Sequence, residues 1–332
     1  MSPSYSYKMK HRIAYFLLIP VLSLTACSWL PFESDSNEES KPSSFSSSEE
    51  ESSSTESSSS SSSSSSKIDN VPEGYELSWS DEFEGDTLSS DWEPMIGDGS
   101  NYGIYRWGNN EEQYYKRENA VVHDGMLHII AKKEQASYTD DNGLHTYDYT
   151  SARLRTKGKV VTTYGYIESR MKLPAGTGMW PAFWMLPEDS FEGRWWPTNG
   201  EIDIMEARGR VLNKFGSTIH TGNASGQDVY QTRDYTFQGN DITAFHSYGV
   251  EWTNEEFCFY IDGLLFFSVT ANTYQAGNEL YKSSSANAPF DRPFHILLNL
   301  AVGGNYDGGN KPDASFTEAH MVVDYVRIYQ KN

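Results

Sequence analysis

Short stretches of alternating apolar and polar residues run through the chain from residue 73 onward, and such alternation is typical of half-buried β-strands. In residues 164–173, Glu168 and Arg170 fall on one face while Ile167 and Met171 fall on the other. Further strand-like stretches are residues 125–131, 247–252, 257–261, 294–299 and 321–329. No stretch of helix length carries a stripe of apolar residues with a 3.6-residue period, so the pattern predicts an all-β domain.

Turn signals separate these stretches. Asp-Gly pairs begin at Asp124 and Asp262, and an Asn-Gly pair begins at Asn142. These pairs suit the left-handed conformations of two-residue hairpin turns. Many strands, few helices and frequent turns favour a two-sheet β-sandwich of the jelly-roll type, with a substrate cleft on its concave face.

A run otherwise apolar enough for an inner strand carries three acids, Glu201, Asp203 and Glu206. On a regular strand, Glu201 and Asp203 share a face and Glu206 points to the other. One extra residue, a β-bulge near Ile204-Met205, would bring Glu206 back to their face, and bulges are frequent beside active sites. The pattern therefore predicts one groove lined by three carboxylates.

The predicted spacing of the two glutamates indicates a type of chemistry. Four strand steps of ~3.3 Å put the Cα atoms of Glu201 and Glu206 about 13 Å apart. If the side chains lean toward each other, their carboxyl groups come to about 5 to 6 Å, which is the separation expected of a glycosidase that retains anomeric configuration. The plainer alternative is a solvated strand face on which both residues happen to be acidic.

The amino-terminal segment has the layout of an export signal. Basic residues precede an apolar run over residues 13–24 that is too short for a good membrane span, and small residues lead to Cys27. This spacing resembles the bacterial lipoprotein signal, in which the cysteine becomes the lipid-modified first residue. We therefore expect a signal peptide over residues 1–26, a lipid anchor at Cys27 and an extracytoplasmic, membrane-anchored protein. The alternative is an ordinary signal peptide that leaves Cys27 as a free thiol.

Residues 27–72 are dominated by serine with interspersed acids, including an unbroken serine run at 57–66. Such a segment cannot bury a core, so we expect a disordered tether. Aromatic residues become frequent afterwards, and about 260 residues is ordinary for a single all-β catalytic domain over residues 73–332. Its one cysteine, Cys258, lies in an apolar run where we expect a small buried side chain and no internal disulfide.

Charge and motif spacing limit which ligands and cofactors the domain is expected to bind. The formal net charge of −20 divides into +3 for the signal region, −7 for the tether and −16 for the domain. A field of this sign repels nucleic acid and heavily sulfated polysaccharides but does not penalise a neutral glycan. No Ser/His/Asp or Cys/His arrangement stands out, and no histidines have a zinc-like spacing such as HxxxH. We expect no catalytic cofactor and a monomer.

Aromatic and amide side chains near the acids suit a sugar ligand. The tryptophans shortly before the acids are Trp180, Trp184, Trp195 and Trp196. Indole rings stack on the apolar faces of pyranose rings, although some of these rings could equally be core aromatics. Asn109 lies in an amide-rich stretch that can bind hydroxyls or form an ordinary turn. His220 would hydrogen-bond an acid from a neighbouring strand or serve as a structural histidine.

Several motifs occur in order between about Trp79 and Tyr329. They are Trp79-Ser80-Asp81-Glu82-Phe83, Asn109-Asn110-Glu111, Ser151-Ala152-Arg153-Leu154, residues 164–174, residues 180–187, residues 200–206 and residues 299–304. Through these motifs the domain resembles glycoside hydrolase family 16. More narrowly, it resembles the laminarinases of that family, which are endo-β-1,3-glucanases.

The resemblance implies roles for particular residues. Glu201 would be the nucleophile, Glu206 the general acid/base, and Asp203 the residue that holds charge and hydrogen bonding between them. The positions that match sugar-binding positions of the family are Asn109, Glu168, Arg170, Trp180, Trp184 and Trp196. We expect His220 to join this substrate-binding group. Family members often carry a structural calcium ion, and the positions that match its ligands are Glu84, Gly125 and Asp324.

The resemblance also implies a substrate class. The extra residue between Asp203 and Glu206 is typical of laminarinases, agarases and carrageenases, whereas lichenases typically lack it. The expected activity is retaining, endo-acting hydrolysis of neutral β-1,3-glucan by double displacement. Tyr306 occupies a place where the family usually has Trp, so tolerance of mixed β-1,3/1,4 linkages stays open. The alternatives are a mixed-linkage glucanase, an agarase, or a glucan-binding protein without catalysis.

Overall fold

The computed structural model describes residues 71–275, 279–282, 285 and 287–332. The predicted signal peptide, Cys27 and the predicted tether up to residue 70 lie outside the described residues. Among the described residues, no helix combines the length and the hydropathy that a membrane crossing would require.

Strands make up most of the described chain. In chain order they are β1 (Tyr75–Asp81), β2 (Glu93–Pro94), β3 (Gln113–Tyr115), β4 (Ala120–His123), β5 (Met126–Lys132), β6 (Ala136–Asp140), β7 (Gly143–Tyr147), β8 (Tyr149–Ser151), β9 (Arg153–Arg155), β10 (Val161–Thr162), β11 (Gly165–Lys172), β12 (Met179–Pro187), β13 (Glu201–Ala207), β14 (Lys214–Gly222), β15 (Asp228–Thr236), β16 (His246–Trp252), β17 (Glu256–Ile261), β18 (Leu264–Thr270), β19 (Phe294–Val302) and β20 (Glu318–Lys331). The helices are short: α1 (Ala271–Tyr274), α2 (Glu279–Lys282) and 3₁₀ turns at Ser100–Tyr102, Tyr105–Gly108 and Arg117–Asn119.

The strands of the described chain form two large sheets and one two-stranded ribbon. The ten-stranded sheet has the order β18-β17-β16-β11-β20-β5-β8-β3, with β1 on β20 and β4 on β5. The eight-stranded sheet has the order β15-β14-β13-β12-β19-β9-β2, with β10 on β19, and β6 pairs with β7. Neighbours are mostly distant in sequence, as a jelly-roll requires. The predicted all-β, two-sheet sandwich is confirmed.

The hairpin turns follow from local sequence. Asp262 and Gly263 join β17 to β18 with φ of 48° and 77°, and Asp124 and Gly125 join β4 to β5 with φ of 53° and 70°. Two successive left-handed residues give the turn whose twist matches that of paired strands. The predicted reversal near Asn142 joins β6 to β7.

The core lies between the two large sheets. Ile167 and Met171 of β11 belong to the same buried cluster as Phe183 and Met185 of β12. Because side chains alternate along a strand, neighbours of these residues such as Glu168 and Trp184 point away from the core. Each large sheet therefore has a second face, and those faces carry most of the acids discussed below.

Candidate active site

A bulge in β13 places three acids on one face. Asp203 pairs with Thr218 of β14 and Glu206 with Gly216, so three steps along β13 match two along β14. This is the extra residue that the sequence predicted, and it turns Glu206 to the side of Asp203. We call the side of the eight-stranded sheet that carries Glu201, Asp203 and Glu206 the acid face.

The residues between the acids show why the bulge forms. Ile202, Ile204 and Met205 are each at most 1% exposed and belong to the core. Ile204 and Met205 are adjacent yet both point inward, which a regular strand cannot achieve. Burying both apolar side chains therefore stabilises the bulge, and the acids are left on the opposite side.

Trp180 and Tyr306 surround Glu206. The Trp180 Nε1–H donates to Glu206 Oε1 at 2.9 Å, and the Tyr306 ring stacks on Trp180 with centroids 5.1 Å apart. The Tyr306 hydroxyl donates to the backbone carbonyl of Glu206 at 3.3 Å. The Trp180 contact fixes one carboxylate oxygen of Glu206, and the Tyr306 contact holds its backbone.

His220 connects the acids to the edge of the sheet. It pairs in register with Glu201, and its Nε2 lies 3.2 Å from Asp203 Oδ2. Its Nδ1 lies 3.0 Å from both carboxylate oxygens of Asp228 on β15. Burial lowers the pKa of this imidazole, but the two carboxylates outweigh it and raise the pKa to about 12. His220 is therefore a cation at neutral pH.

The same residues have the donor atoms of a metal site. Within the described part of the chain, Glu201, Asp203 and His220 form a group whose possible ligand atoms all lie within 4.8 Å of one another. Both ring nitrogens of His220 lie within 3.2 Å of carboxylate oxygens, so the group is a cluster of close acid–imidazole contacts whose atoms can also ligate a metal.

The electrostatics of the acid face favour a shared proton. Burial and the charge of Asp203 raise the pKa of Glu206 to about 8, although the Trp180 hydrogen bond opposes the shift. Burial and the charge of Asp203 also raise the pKa of Glu201 well above its ordinary value, and the charge of His220 opposes this shift. Acids in such mutual contact do not all ionise together near neutral pH. One carboxyl can therefore act as an acid while another acts as a nucleophile.

The other predicted residues near the acid face lie on β12 and in two loops. Trp184 is half-buried, and its Nε1–H donates to Asn299 Oδ1 of β19 at 2.8 Å. Trp196 is 53% exposed, with its ring centroid 6.2 Å from that of His220. The carbonyl of Asn109 accepts from the amide of Asn305 at 2.8 Å, in a loop that reaches the ring of Trp180 at Gly304. The structure thus places Trp184 opposite Asp203 on the neighbouring strand, Trp196 beside His220, and Asn109 in the loop against Trp180.

Arg153 is a residue that the sequence did not mark as functional. It is 7% exposed on β9, and its guanidinium lies 4.4 Å from the Trp107 ring centroid and 4.7 Å from that of Trp184. It interacts electrostatically with buried Glu111 and with Glu201. Its Nε has no hydrogen-bond partner among the described residues. The Ser151-to-Leu154 motif contained it, but only the pairing of β9 with β19 shows that it reaches the acid face.

The prediction that Glu168 and Arg170 line the same groove as the acids is wrong. Both lie on β11 of the ten-stranded sheet, on the face opposite the core residues Ile167 and Met171. Glu168 is fully buried there and accepts from the hydroxyls of Tyr166 and Tyr325 at 3.1 and 2.9 Å. Alternation along β11 had placed the two residues on a polar face correctly, but this face belongs to the other sheet. We call it the tyrosine face.

The proposed calcium ligands lie at that sheet too. Glu84 and Gly125 are exposed, the latter in the β4–β5 turn, and Asp324 is on β20. The Arg170 Nη1 lies 2.5 Å from Asp324 Oδ2, so a cation already neutralises one of the three predicted ligands. Calcium at this place stays a prediction. Cys258 on β17 is buried, as expected.

A β-sandwich that presents partly protonated carboxyls beside indole rings on one open sheet face has the features of a glycoside hydrolase. A family model described as "Beta-porphyranase A-D, GH16 domain" matches residues 76–331. The chain belongs to glycoside hydrolase family 16.

Relatives agree with this membership. The chain is 42% identical over 276 residues to glucan endo-1,3-beta-glucosidase A1 of Niallia circulans, covering 78% of this chain and 38% of that protein. It is 40% identical over 271 residues to the beta-glucanase of Rhodothermus marinus, covering 77% and 85%. The crystal structure of the laminarinase catalytic domain of Thermotoga maritima MSB8 matches with a TM-score of 0.67 at 38% identity, over 78% of this chain and 100% of that one.

Proposed function

We propose that this protein is a retaining endo-β-1,3-glucanase that cleaves laminarin-type glucans. The observation that carries the proposal is the bulge that puts Glu201, Asp203 and Glu206 on one face, with Glu206 held by Trp180. The names of the relatives above, two of them 1,3-glucanases or laminarinases, support the linkage. The domain charge of −16 favours a neutral glucan over sulfated polysaccharides.

The proposed mechanism uses two displacements. Glu201, ionised, attacks the anomeric carbon while Glu206 donates its proton to the leaving glycosidic oxygen, so the C–O bond breaks and a glycosyl ester forms. Glu206, now ionised, takes a proton from a water molecule, which attacks the same carbon. The ester bond breaks, Glu201 leaves as a carboxylate and the sugar keeps its anomeric configuration.

The neighbouring side chains would prepare these two states. His220 is a cation beside Asp203 and Glu201, so it favours ionisation of Glu201. Glu206 has a pKa of about 8, so it holds a proton at neutral pH. Trp184, Trp196 and Asn109 would contact glucosyl rings and hydroxyls, and Arg153 would add donors near Glu201.

We also propose that the protein is a monomer. We further propose that the chain is exported and attached to a membrane through Cys27. The basic and apolar amino-terminal segment and the serine-rich stretch behind Cys27 support this proposal. Metabolic labelling with a palmitate analogue should label the parent protein and not the Cys27→Ser variant. Equal labelling of both, or release of both into the medium, would contradict the anchor.

A polysaccharide panel tests the activity. Laminarin, mixed-linkage barley glucan, agarose and porphyran are incubated with the protein, and reducing ends are measured over time. We expect the highest rate on laminarin, oligosaccharides as early products, and a β-anomer as the first hemiacetal seen by NMR. A higher rate on agarose or porphyran would overturn the substrate, and an α-anomer would overturn the retaining mechanism. No hydrolysis with retained binding to laminarin would favour the glucan-binding alternative.

A further inference from the structure

The acid face continues beyond the three acids to the edge of the eight-stranded sheet. Glu201 of β13 pairs in register with His220 of β14, and His220 pairs in register with Tyr230 of β15, the last strand of that sheet. Side chains that pair in register lie on the same face of a sheet. Adjacent strands are about 4.8 Å apart, so Tyr230 lies about 10 Å from Glu201 across the strands.

Tyr230 exposes an aromatic ring at this edge. Its side chain is 57% exposed, and its ring centroid lies 5.6 Å from that of His220. Trp196, which is 53% exposed, lies 6.2 Å from the same imidazole. A single exposed apolar side chain needs no explanation, but two exposed aromatic rings that lie together beside a row of acids indicate a ligand surface.

The floor of this part of the acid face is low. Thr218 of β14 and Thr232 of β15 pair in register, and their hydroxyls lie 2.9 Å apart. Gly216, the next outward position of β14, adds no side chain, and a Cβ there would lie 3.4 Å from the Tyr306 hydroxyl. Tyr230 and Tyr306 therefore border a shallow trough that runs from the acids to the open edge of the sheet.

The side chains of the trough suit a neutral carbohydrate. Asp228 and Asp234 are the outward carboxylates near the two ends of β15, and they accept hydrogen bonds from hydroxyl groups while they repel an anionic polymer. The ring of Tyr230 offers an apolar face to the C–H side of a pyranose. A sugar presents both kinds of surface, because its ring faces are apolar and its edges carry hydroxyls.

We propose that Tyr230 is a specificity-determining residue that stacks on a glucosyl unit beyond the one that Glu201 attacks, so that the protein favours longer glucan chains. The inference rests on the proposed function, since it takes β-glucan as the ligand and Glu201 as the nucleophile. It deepens that function, because a trough that is open at β15 and binds sugar away from the acids accepts the interior of a chain.

Loss of the Tyr230 ring has a defined kinetic consequence. A distal stacking contact is equally strong before and during bond cleavage, so its loss should raise KM and leave kcat nearly the same. One aromatic contact corresponds to about 3- to 10-fold in affinity. A short oligosaccharide that occupies only the positions beside the acids should lose less than a long one.

The kinetic test compares Tyr230→Ala, Tyr230→Phe and Leu77→Ala in the full chain on laminaritriose and laminarihexaose. Leu77 is 51% exposed on β1 of the ten-stranded sheet, so its variant removes an apolar side chain of similar exposure from the other sheet. We expect KM for laminarihexaose to rise about 3- to 10-fold in Tyr230→Ala, with a smaller rise for laminaritriose. Tyr230→Phe keeps the ring and should stay within about twofold of the parent, as should Leu77→Ala.

Three kinetic results would overturn the inference. They are an unchanged KM for laminarihexaose in Tyr230→Ala, an equal rise for the two oligosaccharides, and an equal rise in Leu77→Ala. Because Tyr230 is exposed, its variants should unfold at the Tm of the parent, and this measurement separates a lost contact from a damaged fold.

A binding measurement separates this inference from the proposed function. Calorimetric titration of laminarihexaose into Glu201→Gln, in which cleavage is blocked, should give a Kd about 3- to 10-fold lower than in the double variant that also carries Tyr230→Ala. Equal Kd values, together with cleavage of laminarin by the parent, would overturn the inference and leave the proposed function intact. A weaker Kd in the double variant, with no cleavage by the parent, would support the role of Tyr230 and refute the proposed activity.

Discussion

The acid face and the tyrosine face are built from similar residues but hold their carboxylates differently. Each is the outward side of a large sheet, and each alternates acids and aromatic residues with core residues. On the acid face, Glu201 and Glu206 lie beside a third acid, Asp203, and their pKa values rise partly because of its charge. On the tyrosine face, Glu168 lies between two tyrosine hydroxyls.

The difference shows how a fold separates chemistry from structure. Burial raises the pKa of Glu168 as well, but tyrosine hydroxyls donate to both of its oxygens, and Arg327 opposes the shift while Asp262 adds to it. Nearby charges are paired: Arg327 forms two 2.8 Å contacts with Glu82, and Arg170 pairs with Asp324. Carboxyl groups that lie close together share a proton that can be transferred in a reaction. Carboxylates that are paired with hydrogen-bond donors or cations stabilise the fold instead.

The largest expected contrast comes from one substitution made on each face. Glu201→Gln should lower kcat/KM on laminarin by on the order of 10⁴-fold or more, because a neutral amide cannot form the glycosyl ester. Glu168→Gln should leave kcat/KM within about threefold of the parent and cost about 1 kcal/mol of stability, because one tyrosine hydroxyl must reorient. Reducing-end assays and thermal unfolding of both variants measure this. Comparable activity losses in the two would mean that the tyrosine face takes part in catalysis.

The next prediction distinguishes the role of Glu206 from that of Glu201. Glu206→Gln should lower the rate on laminarin about 10²- to 10⁴-fold, because the leaving oxygen must depart without a proton. The loss should be much smaller for the first step on an aryl glucoside whose phenol leaves without protonation. Single-turnover release of the phenol checks this. An equal loss on both substrates would argue against Glu206 as the acid.

A smaller effect concerns the pH dependence of Glu206. Its pKa of about 8 predicts that kcat/KM falls as the pH rises through about 8, since the general acid is then ionised. Trp180→Phe removes a hydrogen bond that favours the ionised form, so the basic limb should move up by about one pH unit. Trp184→Phe is the matched control, because its indole N–H binds Asn299 and no acid. A limb that stays near 8 in Trp180→Phe, or moves equally in both, would contradict this role of Trp180.

The smallest expected effect is on the stability of the ten-stranded sheet in acid. On its outward side the His128 ring stacks on His123 at 3.8 Å, and neither ring nitrogen has a hydrogen-bond partner among the described residues. Burial and neighbouring histidines lower the pKa of His128 from 6.5 to about 4. The stability that neutral His128 contributes is therefore full above pH 6.5 and lost as the pH falls through 4.

His128→Phe should reduce this acid sensitivity by less than about 1 kcal/mol, since the side chain is partly exposed. The measurement is the free energy of unfolding by urea at pH 7.5 and at pH 4.5. The parent should lose more stability between the two pH values than the variant. Parallel losses would show that His128 is not responsible.

The strands and the bulge were predictable because their causes are local. Alternation marked β11, and the adjacent apolar residues Ile204 and Met205 required an extra residue between Asp203 and Glu206. Asp-Gly pairs supplied the left-handed residues of the turns at Asp124 and Asp262. Each of these features depends on residues within a few positions of one another, so the order of the sequence is sufficient to find them.

The misplacement of Glu168 and Arg170, and the omission of Arg153 and Asp228, have a common cause. Alternation tells which residues share a face, but it does not tell which sheet a strand joins or which strand pairs with it. Arg153 reaches the acids only because β9 pairs with β19, and Asp228 reaches His220 only because β15 pairs with β14.

The sequence by itself determined the strands, their inward and outward sides, the tight turns and the kink that gathers three carboxylates. Only the tertiary structure decided which sheet face carries the acids of β13 and that His220 lies beside them. It also decided that Glu168 accepts hydrogen bonds from two tyrosine hydroxyls. The physical reason is the separation along the chain of the residues that set each property. Strand and turn conformations are set by neighbouring residues, whereas proton affinity is set by charges and burial that residues far apart in the chain supply only once the sheets have paired.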